Sequence, residues 1–280
     1  MTDDNLKTCL IIGDPVDHSL SPSIQNSGLK AQGIDNQYSY GSRRIKPIEL
    51  ADLIAEARKQ KIHGLTVTIP HKETIMPLLD SVDVVAKEIG AVNTVVNQNG
   101  ALTGYNTDYI GATNPLLELT PLKNKNVAVI GAGGAAKAFV YGLVKQGANV
   151  TIYNRTEQKA KDLADKFGCA YSTLNDQSKI AVVDIICNAS SVGLDGSGSE
   201  NKVLIESKYL KPGQIVFDAV YAPLKTKLLK DAQAAGAQVI YGSEMLLHQG
   251  FAQFEYFTGR KAPEEIMRKA LMEQLHAQHI

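Results

Sequence analysis

Short runs of consecutive apolar residues alternate along this chain with amphipathic stretches, the rhythm of strands and helices in an α/β protein. Cys9–Ile12 is the first apolar run, stopped by Gly13-Asp14-Pro15, and a helix follows from Ser21 towards Lys30. Gln37–Tyr40 reads as a second strand, and Ile48–Lys59 as an amphipathic helix. The β-branched run Leu65–Ile69 is a strand that Pro70 must end, since proline cannot continue a ladder. Val82–Ile89 is helical, Ala91–Val96 is a strand, and Asn97-Gln98-Asn99-Gly100 is a turn. A helix then runs from about Asp108 towards Glu118, and the polar segment 121–126 reads as a linker. Four strands follow at Val127–Ile130, Asn149–Tyr153, Val182–Cys187 and Ile215–Asp218, with Gln238–Tyr241 closing the sheet. Leu194–Asn201 reads as a flexible loop. From Gly242 onward the sequence is helical without further strands, so the C-terminus is expected to pack back onto the first domain.

The stretch Val127–Ala138, V-A-V-I-G-A-G-G-A-A-K-A, organises the rest. Gly131-x-Gly133-x-x-Ala136 after a buried strand and before an Ala-rich helix fits the dinucleotide fingerprint. Gly131 permits the tight turn, Gly133 lets a pyrophosphate reach the backbone, and Ala136 lets helix pack on strand. The helix start then offers N–H groups and a positive dipole end to the diphosphate. Asn154-Arg155-Thr156 ends the next strand, about 20 residues on, where an NAD enzyme places a carboxylate. Arg155 attracts a 2′-phosphate and can stack on adenine, and Lys159 adds a cation one turn later, so the cofactor is read as NADP.

Composition narrows the class. With 280 residues the chain suits two α/β domains. Lys+Arg 29 against Asp+Glu 29 leaves zero formal net charge, which argues against a nucleic-acid or membrane-surface binder. The N-terminus carries no signal-like apolar run, and Cys9, Cys169 and Cys187 lack CxxC spacing, so reduced thiols and a cytoplasmic location are expected. The six histidines show no metal-binding spacing, and no metal site is expected.

Other polar residues sit where chemistry is possible. Ser21 before Pro22 suits a helix N-cap, yet Ser19 and Ser21, two apart on an extended loop, could equally bind a carboxylate. Lys72 lies just past a strand's carboxyl end, the edge where open α/β sheets bind ligands. Asn93 is polar amid β-branched neighbours and needs hydrogen-bond partners, whether a turn or a ligand. Asp108 stands in a first helical turn, where an acid is ordinary.

The motifs G-D-P-V-D-H-S-L-S-P (13–22), T-V-T-I-P-H-K (66–72), G-A-V-N-T-V (90–95), G-Y-N-T-D (104–108), G-A-G-G-A-A (131–136), N-R-T (154–156), D-A-V-Y-A-P (218–223) and G-S-E-M-L-L-H-Q (242–249) occur in one order. In these the chain resembles the shikimate/quinate dehydrogenase family over nearly its whole length. The resemblance implies two domains: an N-terminal open α/β substrate domain over 1–104, with 242–280 returning to it, and a Rossmann-type doubly wound NADP-binding domain over 105–241. It implies reversible NADPH-dependent reduction of 3-dehydroshikimate to shikimate in aromatic amino-acid (chorismate) biosynthesis, by a monomer or homodimer. Lys72 and Asp108 would be the catalytic pair. Ser19 and Ser21, assisted by Tyr221, would bind the substrate carboxylate, and Thr66, Thr68, Asn93 and Gln249 would complete the substrate site. Gly131, Ala132, Gly133, Gly134 and Ala135 would hold the pyrophosphate, Asn154, Arg155, Thr156 and Lys159 the adenosine phosphate, and Gly242 and Met245 the nicotinamide end.

Two positions depart from the family's pattern. Its motifs usually read S-P-x-x-H-N and N-V-T-x-P, whereas this chain carries Gln25 and Thr66 at the histidine and first asparagine. A threonine hydroxyl reaches less far than a carboxamide and offers fewer donors. Gln25 resembles the branch that also takes quinate, so quinate or a related ring hydroxy acid is the alternative substrate.

Overall fold

The structure, a computed structural model, describes residues 6–277. The chain divides into two compact units: residues up to Thr107 together with those from Gln249 onward, and Asp108–His248. The crossings fall at 107/108 and 248/249, beyond the expected 104/105 and 241/242. Tyr105 still pairs with Thr94 in the first sheet, and Met245 still packs on the core of the second unit.

In the first unit the chain runs β1 (Lys7–Gly13), α1 (Ser21–Ala31), β2 (Tyr38–Arg44), α2 (Leu50–Glu56), β3 (Gly64–Val67), α3 (His71–Thr74), β4 (Ser81–Val82), α4 (Val84–Ile89), β5 (Thr94–Gln98) and β6 (Ala101–Tyr105). The sheet order is β2-β1-β3-β5-β6-β4. β1 runs parallel to β2 and β3, whereas β5 is antiparallel to both β3 and β6. That reversal brings the carboxyl ends of β1, β3 and β6 and the amino end of β5 to one edge.

Two helices are shorter than their sequence pattern suggests. The stretch expected to be helical over 48–59 becomes a 3₁₀ turn, α2, and a widened π turn at Ala57–Lys61. Asn97 explains the widening: its amide donates to the Ala57 carbonyl at 2.5 Å and to the Ile62 carbonyl at 2.9 Å. The helix expected from Val82 starts only at Val84, because Asp83 caps it by accepting from Val85 N–H at 2.8 Å. Ser81–Val82 pairs instead with β6.

In the second unit come α5 (Asp108–Leu117), β7 (Asn126–Ile130), α6 (Gly134–Lys145), β8 (Asn149–Asn154), α7 (Glu157–Phe167), β9 (Ala170–Thr173), β10 (Ile185–Asn188), β11 (Ile215–Asp218), α8 (Lys227–Ala234) and β12 (Gln238–Ile240). The order β12-β11-β10-β7-β8-β9 is parallel throughout and reverses direction between β7 and β10. This is the doubly wound arrangement, whose ligand edge is that switch point. Both sheet faces are covered. Val127 and Val129 join Phe139 and Leu143 of α6 in one core, while Ala128 and Ile130 join Leu228 and Leu229 of α8 in another. Burial on both faces is why these strands read as unbroken apolar runs.

The chain ends with α9 (Gly242–Thr258) and α10 (Glu264–Ala277). As expected, the C-terminal helices return to the first unit. Gly28 of α1 lets Phe254 and Met267 approach, and Gly64 of β3 leaves room that Phe257 fills, since a Cβ at either would collide.

Candidate active site

The convergent edge of the first sheet carries most of the polar residues singled out above. Ser19 lies in the loop after β1 and Ser21 opens α1, while Thr68 lies in the loop after β3 and Lys72 in α3. Gly13 is required where these loops meet, because a Cβ there would collide with the Thr68 methyl. Ser21 is not the cap that its place before Pro22 suggests. It is already the first helical residue, the cap position belongs to Leu20, and Ser21 N–H donates to Ser19 Oγ at 3.3 Å. Lys72 is half-buried in α3, tied to the neighbouring loop by its carbonyl, which accepts from Val92 N–H at 2.8 Å. His71 anchors the same turn: it is fully buried, and its Nε2 lies 2.6 Å from the Ile45 carbonyl.

Asn93 lies at the amino end of β5 and is 1 % exposed. Its Oδ1 accepts from Thr107 N–H at 2.7 Å and from Thr94 Oγ1 at 2.8 Å. Its Nδ2 donates to Thr107 Oγ1 at 2.9 Å and to Gln249 Oε1 at 3.5 Å. A flipped amide would set its NH₂ against the Thr107 N–H, so the orientation is fixed. Asn93 thus holds both Thr107 and Gln249, the residues at which the chain leaves and re-enters the first unit. Asp108 follows directly as the first residue of α5, in the second unit, and is buried.

The two departures from the family's pattern are both engaged within the protein. Buried Gln25 donates from Nε2 to the Gly250 carbonyl at 2.9 Å. Thr66, expected among the substrate contacts, is 5 % exposed. It accepts from the Tyr40 hydroxyl at 2.6 Å and gives its one proton to Gln253 Oε1 at 3.0 Å. Nothing in a linear reading of α9 distinguishes Gln253 from a surface glutamine; only the fold shows that it is fully buried.

In the second unit the fingerprint forms a cradle. Gly131 has φ +112°, and a Cβ there would press on the Ala189 and Ser190 backbone at 3.0–3.1 Å. Gly133 is the N-cap of α6 and contributes no side-chain cap, and a Cβ at Gly133 or Gly134 would meet nothing within 4 Å. The first-turn N–H groups of α6 therefore face open space that an anion can enter. Ala132, Gly133, Asn154, Arg155, Thr156 and Lys159 line a concavity of about 180 Å³. Asn154 shapes its floor by donating to the Thr156 carbonyl at 2.9 Å. Two cations and no carboxylate line it, which fits the extra phosphate of NADP rather than a bare ribose.

Behind the cradle lies a polar knot centred on Asp218, a carboxylate that sequence reading did not pick out. Asp218, at the end of β11, accepts from Asn188 Nδ2 at 2.8 Å, Thr226 Oγ1 at 2.6 Å and Val220 N–H at 3.0 Å. Asn188 in turn accepts from the N–H and hydroxyl of Ser190 and so sets the loop against which Gly131 packs. Tyr221 follows on the next loop, and its burial raises the phenol's pKa. Gly242 has its own steric reason to be glycine, since a Cβ would collide with the Val220 carbonyl. The loop expected to be flexible, 194–201, is braced by Ser197 Oγ donating to the Leu194 carbonyl at 2.6 Å and by Asp195 N–H donating to the Ala222 carbonyl at 2.8 Å.

Known proteins match this chain along most of its length. Residues 11–95 match the family profile described as shikimate dehydrogenase substrate binding domain, 116–195 that of shikimate / quinate 5-dehydrogenase, and 242–272 that of shikimate 5'-dehydrogenase C-terminal domain. A shikimate dehydrogenase (NADP(+)) of Methanocella arvoryzae is 43% identical over 271 residues, covering 95% of this chain and 98% of the relative. A shikimate dehydrogenase solved in complex with NADP+ superposes with a TM-score of 0.91 at 37% identity, over 98% of each chain. The Thermus thermophilus enzyme solved with NADP(H) and shikimate gives 0.88 at 33% identity, over 96% of this chain and 99% of that one. A relative this similar over almost the full length of both chains, on the same arrangement of strands, places this protein in the shikimate/quinate dehydrogenase family.

Proposed function

We propose that this chain is an NADP-dependent shikimate dehydrogenase, reversibly reducing 3-dehydroshikimate to shikimate with NADPH in the chorismate route. One observation carries the reading above the others. Lys72 follows the carboxyl end of β3 on the same sheet edge as Ser19, Ser21, Thr68 and Asn93. That edge offers hydroxyls, an oriented amide and the Lys72 cation, which together suit a carboxylated, polyhydroxylated ring.

Ser19 and Ser21, with Tyr221, hold the ring carboxylate, while Thr68, Asn93 and Gln249 accept and donate hydrogen bonds to the ring hydroxyls. The Lys72 ammonium stabilises negative charge developing on the oxygen of the reacting carbon and exchanges a proton with it. Asp108 is the second member of the catalytic pair and orients that hydroxyl. Gly131, Ala132, Gly133, Gly134 and Ala135 receive the pyrophosphate, Asn154, Arg155, Thr156 and Lys159 the adenosine phosphate, and Gly242 and Met245 the nicotinamide end. When bound, NADP supplies or accepts the hydride. The protein works in the cytoplasm as a monomer or homodimer; among the described residues no helix is long and apolar enough to cross a membrane.

Quinate or a related ring acid is the competing substrate, motivated by Gln25 and Thr66. Initial rates of cofactor reduction at alkaline pH, pairing shikimate or quinate with NADP or NAD, decide between them. Turnover confined to shikimate with NADP supports the proposal. Quinate turnover, or failure with shikimate, transfers the assignment to the other branch.

A further inference from the structure

Where the family's motif carries asparagine on β3, this chain has Thr66, and the carboxamide is found on another element. Gln253 of α9 is fully buried, and each polar atom of its amide is engaged. Oε1 accepts from Thr66 Oγ1 at 3.0 Å, and Nε2 donates to Thr94 Oγ1 at 3.1 Å and to the Asn93 carbonyl at 3.4 Å. Thr66 and Thr94 are direct partners in the β3–β5 register, so both hydroxyls face the same side of the sheet, where one amide can bridge them.

The donors run in one direction. Tyr40 gives its proton to Thr66, Thr66 to Gln253, Gln253 to Thr94, and Thr94 to Asn93 Oδ1. Each threonine hydroxyl in the series accepts one proton and donates one, so neither can turn without leaving a buried partner unsatisfied. Tyr40 begins the series as a fixed donor, because burial raises its pKa and keeps the phenol protonated. The series ends on the oxygen of Asn93, which turns the amide's NH₂ away from it. Because Gln253 Nε2 donates to the Thr94 oxygen, the Thr94 proton is directed to Asn93.

We infer that Gln253 is a positioning residue for the reaction. Paired with Thr66, it supplies from α9 the carboxamide that the motif otherwise places on β3, and through Thr94 it reinforces the Asn93 orientation that the Thr107 N–H fixes, holding the amide for the ring hydroxyl. This rests on the proposal that Asn93 touches the substrate. It makes positions 66 and 253 one unit that must be exchanged together.

The test is a set of variants of the full chain, assayed with shikimate and NADP beside the parent. Gln253→Met keeps the volume and removes the amide. It is expected to raise KM for shikimate about tenfold, with kcat and KM for NADP nearly unchanged. Thr66→Val is expected to shift the same constant in the same direction, and Thr66→Ser, which keeps the hydroxyl, to recover most of the loss. Thr66→Asn crowds two carboxamides together and Gln253→Ala leaves none, so each alone lowers both kcat/KM and Tm. The double variant restores a single carboxamide but is three side-chain heavy atoms smaller than the parent pair, so it is expected to regain most of kcat/KM and only part of Tm. A parental KM for shikimate in Gln253→Met, with only Tm lowered, would reduce Gln253 to a packing residue. Additive losses in the double variant would break the pairing. If the parent itself fails to turn over shikimate, the substrate assignment falls, and the Tm cycle between 66 and 253 still decides whether the two act as one unit.

Discussion

Asn188 donates its amide to Asp218 at 2.8 Å across neighbouring strand ends. Burial pushes the Asp218 carboxyl up to about 6 from its ordinary 3.8, even though Thr226, Val220 and Asn188 all donate to it and oppose the rise. The folded protein therefore holds this proton more tightly than the unfolded chain. Its contribution to stability is present below about pH 4 and is lost as pH climbs through about 6. Asp218→Asn keeps the shape without the titration. In urea melts, parent stability minus variant stability is expected to fall by on the order of 2 kcal/mol from about pH 4 to pH 7. A difference that stays level across that range would mean Asp218 does not titrate in it.

Lys72 is half-buried in a turn held by its backbone and by His71, so trimming its side chain should leave the fold intact. Lys72→Ala is expected to lower kcat by roughly a thousandfold or more, with Tm close to the parent value. Asp108→Asn, which keeps the size and removes the charge, should lower kcat by about a hundredfold. Steady-state rates beside thermal melts check both, and substantial turnover by Lys72→Ala would remove it from the chemistry.

Gly131 and Gly133 are glycine for different reasons, and alanine should expose the difference. At Gly131, φ is +112° and the Ala189–Ser190 backbone stands 3.0–3.1 Å from any Cβ, so Gly131→Ala should cost about 1–3 kcal/mol of stability. At Gly133 the backbone is ordinary and the space is open, so Gly133→Ala should fold like the parent. Its added methyl would instead occupy the pyrophosphate path and weaken NADP binding by about tenfold or more. Calorimetric binding and thermal melts on the same two samples separate the effects.

Arg155 and Lys159 are both exposed and line the cradle's concavity. Arg155→Ser should raise KM for NADP by about a hundredfold while changing KM for NAD by no more than a few fold. The double change with Lys159→Ser should go further in the same direction. Equal losses with both cofactors would show that Arg155 grips the adenine rather than the phosphate.

Much of this was legible because burial leaves a plain mark on sequence. The central strands of the second sheet are covered on both faces and read as unbroken apolar runs, and the glycines at 131 and 133 punctuate the turn that follows. Edge elements left a fainter mark. β9 is A-Y-S-T, half-exposed at the sheet's margin, and β4 is only Ser81–Val82, so neither has an apolar pattern to follow. Ser21 looked like a cap because sequence shows Pro22 but not that the helix already includes the serine. Gln253, Asp218 and Asn97 were hidden for another reason. A buried polar side chain is explained by partners distant in sequence, and those partners become neighbours only when the chain folds.

The path of the chain through the two units sets an order of assembly. The second unit is one unbroken segment, so all its strands exist once His248 has been made. The first unit is sewn from both ends: Gly28 and Gly64 await Phe254, Met267 and Phe257, and Asn93 awaits Gln249. During synthesis from the N-terminus, the inserted unit can close first, while the older strands of β1–β6 wait for α9 and α10. A chain cut after His248 would keep the cofactor cradle whole and leave the substrate-side sheet without its covering helices.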